Sequence, residues 1–230
     1  MSLPHADDQR LQLIRTRLFT SVVGDVMDGM AMRHQFFPPD IRPVARDMTM
    51  VGRAMPVLEA DVYEAHIAGS PGPLADRPFG LMLEALDSLR PNEVYVANRT
   101  TRDYAEWGEL MSTRARHLGA AGAVVEGYSR DTMGIRELGF PVFSRGSYGR
   151  DQGVRGKVID YRVPIEIGTV RIDPGDLLIG DADGVVAIPQ TREDEVIEAA
   201  LHKVDGENTV AEAIRNGMSA VDAFRTHGVM

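Results

Sequence analysis

The stretch GAAGAVVEGYSRDTMGIRELGFPVFSRG, from Gly119 to Gly146, restricts what this chain can fold into more than any other part of it. Upstream, Trp107, Leu110, Met111, Ala115 and Leu118 recur at the spacing of one helical face, and Gly119 and Gly122 end that helix. Ala123 to Val125 reads as a short buried strand. Thr132 to Leu138 reads as a second helix stopped by Gly139 and Pro141, and Val142 to Ser144 as another strand. The pattern therefore delivers Tyr128-Ser129-Arg130-Asp131 at a strand end, just before a helix. Open sheets place ligands at such ends, because side chains there face a crevice while their backbone stays fixed.

Two readings of Arg130 and Asp131 follow. In one, the guanidinium grips a substrate carboxylate while the adjacent carboxylate holds a divalent ion. In the other, an Arg-Asp pair opening a helix is a cap and a surface ion pair. Spacing alone does not choose between them. Gly108, Glu109, Leu110 and Met111 supply a second possible part, since the free N–H groups of a helix start form an anion site, although most such starts meet only water or a cap.

Elsewhere, Gln9 to Met30 reads as two amphipathic helices parted near Thr20 and Ser21, read as capping residues. Met48 to Leu58 is rich in strand formers and interrupted by Gly52; SPGPLADRP is a loop; Leu81 to Leu89 is a short helix and Glu93 to Ala97 a buried strand. From Lys157 the chain reads as β: Lys157 to Ile167, Thr169 to Ile172, a Pro174-Gly175 turn, Leu177 to Gly180 and Val185 to Ile188. The last 40 or so residues are helical and read as an appendage suited to packing on a neighbouring subunit. The mixture lacks the strict strand-helix repeat of a parallel barrel and suggests one α/β domain over 1–230, with stacked sheets and helices outside.

Composition narrows the chemistry. There is no cysteine, which excludes disulfides, thiolate nucleophiles and cysteine-ligated zinc, so a metal must sit on oxygen or imidazole. Magnesium or manganese suits that donor set. A net charge of −9 disfavours nucleic acid as a partner. Only Lys157 and Lys203 are available for Schiff-base chemistry. Neither a membrane span nor a secretory leader is evident, so a cytoplasmic location is expected.

The combination AEWGELMSTRARHLGAAGAVVEGYSRD, LGFPVFSRG, PGDLLIGDADGVVAIP and a C-terminal helix pair ending AFRTHGV resembles the family of regulator of ribonuclease activity A and the 4-hydroxy-4-methyl-2-oxoglutarate aldolases, from about Ser21 onward. The resemblance implies a layered β/β/α sandwich of the swivelling phosphohistidine-domain-like type with a C-terminal helical extension, from about residue 190, at a subunit interface. It also implies that the backbone of Gly108, Glu109, Leu110 and Met111 cradles a pyruvate-like substrate, that Arg130 holds it, and that Asp131 is the direct ligand of Mg²⁺ or Mn²⁺. Glu207, from a neighbouring subunit of a trimer or pair of trimers, matches an acidic residue that orders water at the metal. Glu126 departs from the Asp usual in the family, and Glu109 from a frequent Gly.

The implied activity is carbon–carbon cleavage of a small 2-oxo acid to release pyruvate, with oxaloacetate decarboxylation as a side reaction because both pass through the same enolate. The alternative is a noncatalytic regulator that binds and inhibits a ribonuclease. Plainer readings fit other residues: turn chemistry for Asp173, Asp181 and Asp183, a solvated helix face for Asp25 and Asp28, scattered positions for His66, His117 and His202, and a strand exit for Ser144-Arg145-Gly146.

Overall fold

A computed structural model describes residues 3–4, 6–62, 74, 76–101 and 103–228. The lead-in forms α1 (Asp7–Arg17) and α2 (Thr20–Gly29), followed by β1 (Arg42–Pro43) and β2 (Met50–Asp61). Then come α3 (Met82–Asp87), β3 (Glu93–Ala97), β4 (Ala105–Trp107), α4 (Glu109–His117), β5 (Gly122–Val125) and β6 (Tyr128–Ser129). The chain continues through α5 (Thr132–Leu138), β7 (Val142–Ser144), β8 (Gly156–Tyr161), β9 (Ile165–Ile167) and β10 (Val170–Ile172). It closes with β11 (Leu177–Asp181), β12 (Gly184–Ile188), α6 (Glu193–Arg215) and α7 (Ala220–His227).

One eight-stranded mixed sheet runs β1-β7-β5-β3-β2-β11-β12, with β8 also paired to β2. The long strand β2 makes this branching possible: one edge pairs in parallel with β3, while the other takes β11 along its first part and β8 along its second. The sheet curls until its ends meet, where the Arg42 guanidinium of β1 donates to the carbonyl of Asp183 beside β12. The fold is thus a mixed α/β architecture around a nearly closed sheet. Alternation sorts the side chains: Val94, Val96, Val124, Leu178, Val185 and Ala187 point inward, against residues of the β9-β10 hairpin. Their neighbours point outward, Tyr95, Ala97, Ala123 and Val125 toward α3, α4 and α5, and Leu177, Ile179, Val186 and Ile188 toward α1, α2 and α6.

Four expectations need correction. Trp107 closes β4 rather than opening a helix, and α4 begins at Glu109. The strand expected over 157–167 breaks into β8 and β9, where Arg162 takes φ 59°. The final helices are only partly an appendage: Val196, Ile197, Ala200, Leu201 and Val204 of α6 belong to the chain's own core, while Val221 and Phe224 of α7 stand exposed. Gly52 does not interrupt β2; a Cβ there would lie 2.5 Å from the carbonyl oxygen of Asn92, so glycine is what lets the neighbouring segment approach. The expected SPGPLADRP loop and His66 lie largely or wholly outside the described residues. No helix among the described residues is long and apolar enough to cross a membrane.

Candidate active site

The short strands β4 and β6 pair in parallel, Ala105 beside Tyr128 and Trp107 beside Ser129, and the Arg130 N–H donates to the Trp107 carbonyl at 2.9 Å. This ribbon sets the start of α4 against the start of α5. Gly108, in extended backbone, caps α4; a Cβ on it would come within 2.9 Å of Asp131 Oδ2 and 3.5 Å of Arg130 Cγ. No side chain among the described residues caps α4, which leaves its first N–H groups and their partial positive charge for an anion. Inside the first turn, Trp107 Nε1 donates to Ser112 Oγ at 2.7 Å and that hydroxyl donates to the Gly108 carbonyl, fixing the turn from behind.

Asp131 occupies the cap position of α5 with φ 56° and ψ 34°, a left-handed conformation that Asp tolerates better than most residues. Its side chain makes no capping bond. The cap of the plainer reading is therefore absent, while its surface ion pair between Arg130 and Asp131 is present. The carboxylate turns instead toward Gly108 and Arg130, 3.6 Å from Arg130 Nε, and Arg130 Nη1 donates to Asp151 at 2.6 Å. Both members of the pair remain accessible, Arg130 at 40% and Asp131 at 47%.

A cavity of about 440 Å³ opens onto this constellation, lined at its polar end by Gly108, Arg130, Asp131, Asp151 and Gln152 and along its other wall by residues of α3 and α4 that include Leu110 and Met111. Two expected participants, Glu109 and Glu207, are not among its lining residues, and neither is Glu126, the departure from the family's Asp. The Glu109 carboxylate lies against Gly134 of α5, where a Cβ would be 2.2 Å away. Glu207 sits on α6, 3.5 Å from Lys203, and does not meet the cavity within one chain. Glu126 accepts from the Arg99 N–H at 2.9 Å and the Gly168 N–H at 3.3 Å and faces Arg145 at 3.5 Å, so it fastens loops together. Lys157 donates to the Leu74 carbonyl and Lys203 pairs with Asp25, so neither lysine lies where a Schiff base would form in this cavity. Sequence reasoning missed Asp151, which sits in a polar loop with no spacing to mark it.

Beside the cavity lies a buried acidic cluster that the sequence did not announce. Glu59 accepts from Tyr104 Oη at 3.0 Å and from Gln152 Nε2 at 3.3 Å. Burial pushes its carboxyl up to about 8, against the opposing effect of the Tyr104 hydrogen bond. Glu106, which borders the cavity, accepts from the Gly127 N–H at 2.9 Å through one oxygen while the other has no hydrogen-bond partner among the described residues. Burial first, and the nearby Glu59 second, raise it well above the usual carboxylate range.

The remaining residues behave plainly. Asp181 accepts from the Thr20 N–H and hydroxyl, both at 2.7 Å, and from the Asp183 N–H, so it caps α2 and its own turn. Asp173 pairs with Arg171, Asp25 and Asp28 are exposed on α2, His117 and His202 are exposed, and Ser144 shares a hydrogen bond with Ser129.

Among the described residues no three His, Asp or Glu side chains converge on a point, so no all-protein metal cage is present there. Magnesium and manganese do not need one: such ions use one or two carboxylates and fill their remaining positions with water and substrate oxygens. The accessible, uncapping carboxylate of Asp131 beside an open helix start fits that requirement.

The site thus sets an acidic residue in left-handed backbone beside an uncapped helix start, on a curled mixed sheet of an α/β protein. The profile of the RraA-like family, Aldolase/RraA, matches residues 20–187, and the chain belongs to that family. A Halalkalibacterium halodurans protein that carries the name 4-hydroxy-4-methyl-2-oxoglutarate aldolase provisionally is 32% identical over 208 residues, 89% of each chain. A Pseudomonas syringae protein of uncharacterized function superposes with a TM-score of 0.83 at 24% identity, covering 98% of this chain and 97% of its own. Streptomyces coelicolor RraAS2, described as an unusual member of the RNase ES inhibitor RraA family, superposes at 0.71 with 21% identity, over 91% of this chain and 98% of its own. Those two structural likenesses concern the fold alone.

Proposed function

We propose that this protein is a divalent-metal-dependent lyase that cleaves a carbon–carbon bond of a small 2-oxo acid and releases pyruvate. The observation that carries the reading is the meeting of three groups at the polar end of one cavity: the uncapped start of α4 at Gly108, the Arg130 guanidinium, and the Asp131 carboxylate held in a left-handed conformation without capping its own helix. The name of the H. halodurans relative supports the same class.

In this reading Asp131 would hold Mg²⁺ or Mn²⁺, which would supply Lewis acidity to the 2-oxo acid group of the substrate. Arg130 orients the substrate carboxylate, exchanging part of its pairing with Asp151 for the ligand, and its charge favours the enolate that bond cleavage leaves. The N–H groups of Glu109, Leu110 and Met111 supply neutral donors for the same developing charge. The reading extends to oxaloacetate, whose decarboxylation generates the same enolate, and to a trimer or pair of trimers in which Glu207 from a second copy approaches the site.

Pyruvate release from 4-hydroxy-4-methyl-2-oxoglutarate and from oxaloacetate, with Mg²⁺ or Mn²⁺ and with chelator, tests it. Metal-dependent turnover is expected, falling by a factor of about 100 or more in Asp131→Ala. Absent turnover with all these substrates, together with stoichiometric capture of a ribonuclease, would put the chain with the regulators instead.

A further inference from the structure

The cavity offers far more room than a pyruvate unit fills, and its two ends differ in chemistry. Away from Arg130 and Asp131 the wall consists of Phe79, Met82, Leu83 and Leu86 from α3 and the turn before it, with Leu110 and Met111 from α4. Leu83 is 56% exposed and Leu110 84% exposed, so both present apolar surface to whatever enters. The remaining cation of the lining, Arg114, donates through Nε to Asp87 at 2.7 Å. Of the charged groups in the lining, Asp151 pairs with Arg130 and Asp87 with Arg114, the buried Glu106 is raised well above the usual carboxylate range, and Asp131 is the group the lyase reading gives to the metal.

Within one chain, a second carboxylate on the substrate would lie against this wall. There it would meet aliphatic and thioether side chains and one guanidinium that already donates through Nε to Asp87. An unpaired carboxylate in such surroundings loses hydration without compensation. An alkyl or aryl group placed there removes its own apolar surface, and that of Leu83 and Leu110, from water.

We infer that the substrate is a monocarboxylic 4-hydroxy-2-oxo acid bearing an alkyl or aryl group on C4, so that cleavage yields pyruvate and an apolar aldehyde or ketone. The inference rests on the lyase reading above and narrows it. The C3–C4 bond breaks, its electron pair remains on C3 as the enolate, the C4 hydroxyl loses its proton as C4 becomes a carbonyl, and C3 takes up a proton to give pyruvate. No oxidant or further reactant is consumed.

The test compares kcat/KM, with Mg²⁺, for 4-hydroxy-4-methyl-2-oxohexanoate and 4-hydroxy-2-oxo-4-phenylbutanoate against the dicarboxylate 4-hydroxy-4-methyl-2-oxoglutarate. A preference of at least about tenfold for the monocarboxylates is expected, the scale that a few methylenes against a polar replacement produce. Leu83→Arg, which adds a cation to the wall, and Asp87→Ala, which releases Arg114, are each expected to move that ratio toward the dicarboxylate by about tenfold. Calorimetric binding of 2-oxoheptanoate and 2-oxoglutarate provides a readout that does not need turnover, and the first is expected to bind more tightly. Preference for the dicarboxylate in turnover or in binding overturns the inference and leaves the lyase reading standing. A ratio that neither variant moves, with altered oligomeric state in Leu83→Arg, overturns it by showing that the apolar wall faces a second copy of the chain. Tight binding of 2-oxoheptanoate without cleavage of any hydroxy-oxo acid upholds the class of ligand while sinking the lyase reading.

Discussion

At the scale of single residues, the site depends on how closely two backbones approach. Gly108 has φ −148°, which any residue adopts, so its importance is spatial and not conformational. A methyl group there would crowd Asp131 Oδ2 at 2.9 Å, and the side chain, not the backbone, is what must give way. Gly108→Ala is therefore expected to lower kcat/KM by about 10- to 100-fold through a displaced carboxylate, with a change in unfolding free energy under about 1 kcal/mol. Urea titration and steady-state kinetics on the same preparation check both halves. A variant with full activity would mean that Asp131 does not work from the position observed. Arg130 and Asp131 were legible in the sequence because a glycine-bracketed strand and a helix start frame them. Asp151, which neutralises Arg130 at 2.6 Å, was not, because nothing in a polar loop records which distant side chain it will meet.

At the scale of elements, most of the secondary structure follows from periodicity and breakers. The two lead-in helices, the strands at 93–97, 142–144, 177–181 and 184–188, and the helix at 132–138 fall where apolar spacing and glycine or proline stops place them. The short strands β4 and β6 were illegible because two or three residues carry no period, yet they align the site. The same limit hid the capping of α2, which begins with Thr20 and has no side-chain cap of its own; Asp181, remote in sequence, takes that role from the end of β11. Asp181→Ala removes two hydrogen bonds of 2.7 Å at that helix start and is expected to cost about 1–2 kcal/mol. A lowered Tm with unchanged kcat/KM at 25 °C is the expected result, since α2 packs over β11 and β12, whereas α4 packs over β5 and against α5. Loss of activity without loss of stability would point instead to a ligand role for the aspartates of this turn.

At the scale of the molecule, the buried acidic cluster ties the stability of the whole fold to pH. In an unfolded chain the Glu59 carboxyl titrates at its ordinary value of 4.5; in the folded protein burial pushes it up to about 8. Between those values the folded state holds a proton that the unfolded state has released, so each rise in pH favours unfolding. The contribution is complete below about pH 4.5, declines with a slope of up to about 1.4 kcal/mol per pH unit for one group, and is gone above about pH 8. Glu106 pulls in the same direction, because burial and Glu59 raise it as well. The surface pairs act oppositely: Asp7, lowered by its hydrogen bond to Arg53, and Asp173, lowered by Arg171, lose their contribution only when acid protonates them. Stability is therefore expected to peak in mild acid and fall toward neutral and alkaline pH. Urea midpoints at pH 5.5, 7.0 and 8.5 should decline for the wild type and decline less for Glu59→Gln, which keeps an acceptor for Tyr104 but has no proton to lose. Parallel curves for the two proteins would show that Glu59 is not the group that titrates. A wild-type midpoint that rises with pH would show that this carboxylate stays ionised in the fold, held so by Tyr104 and Gln152 against the cost of its burial.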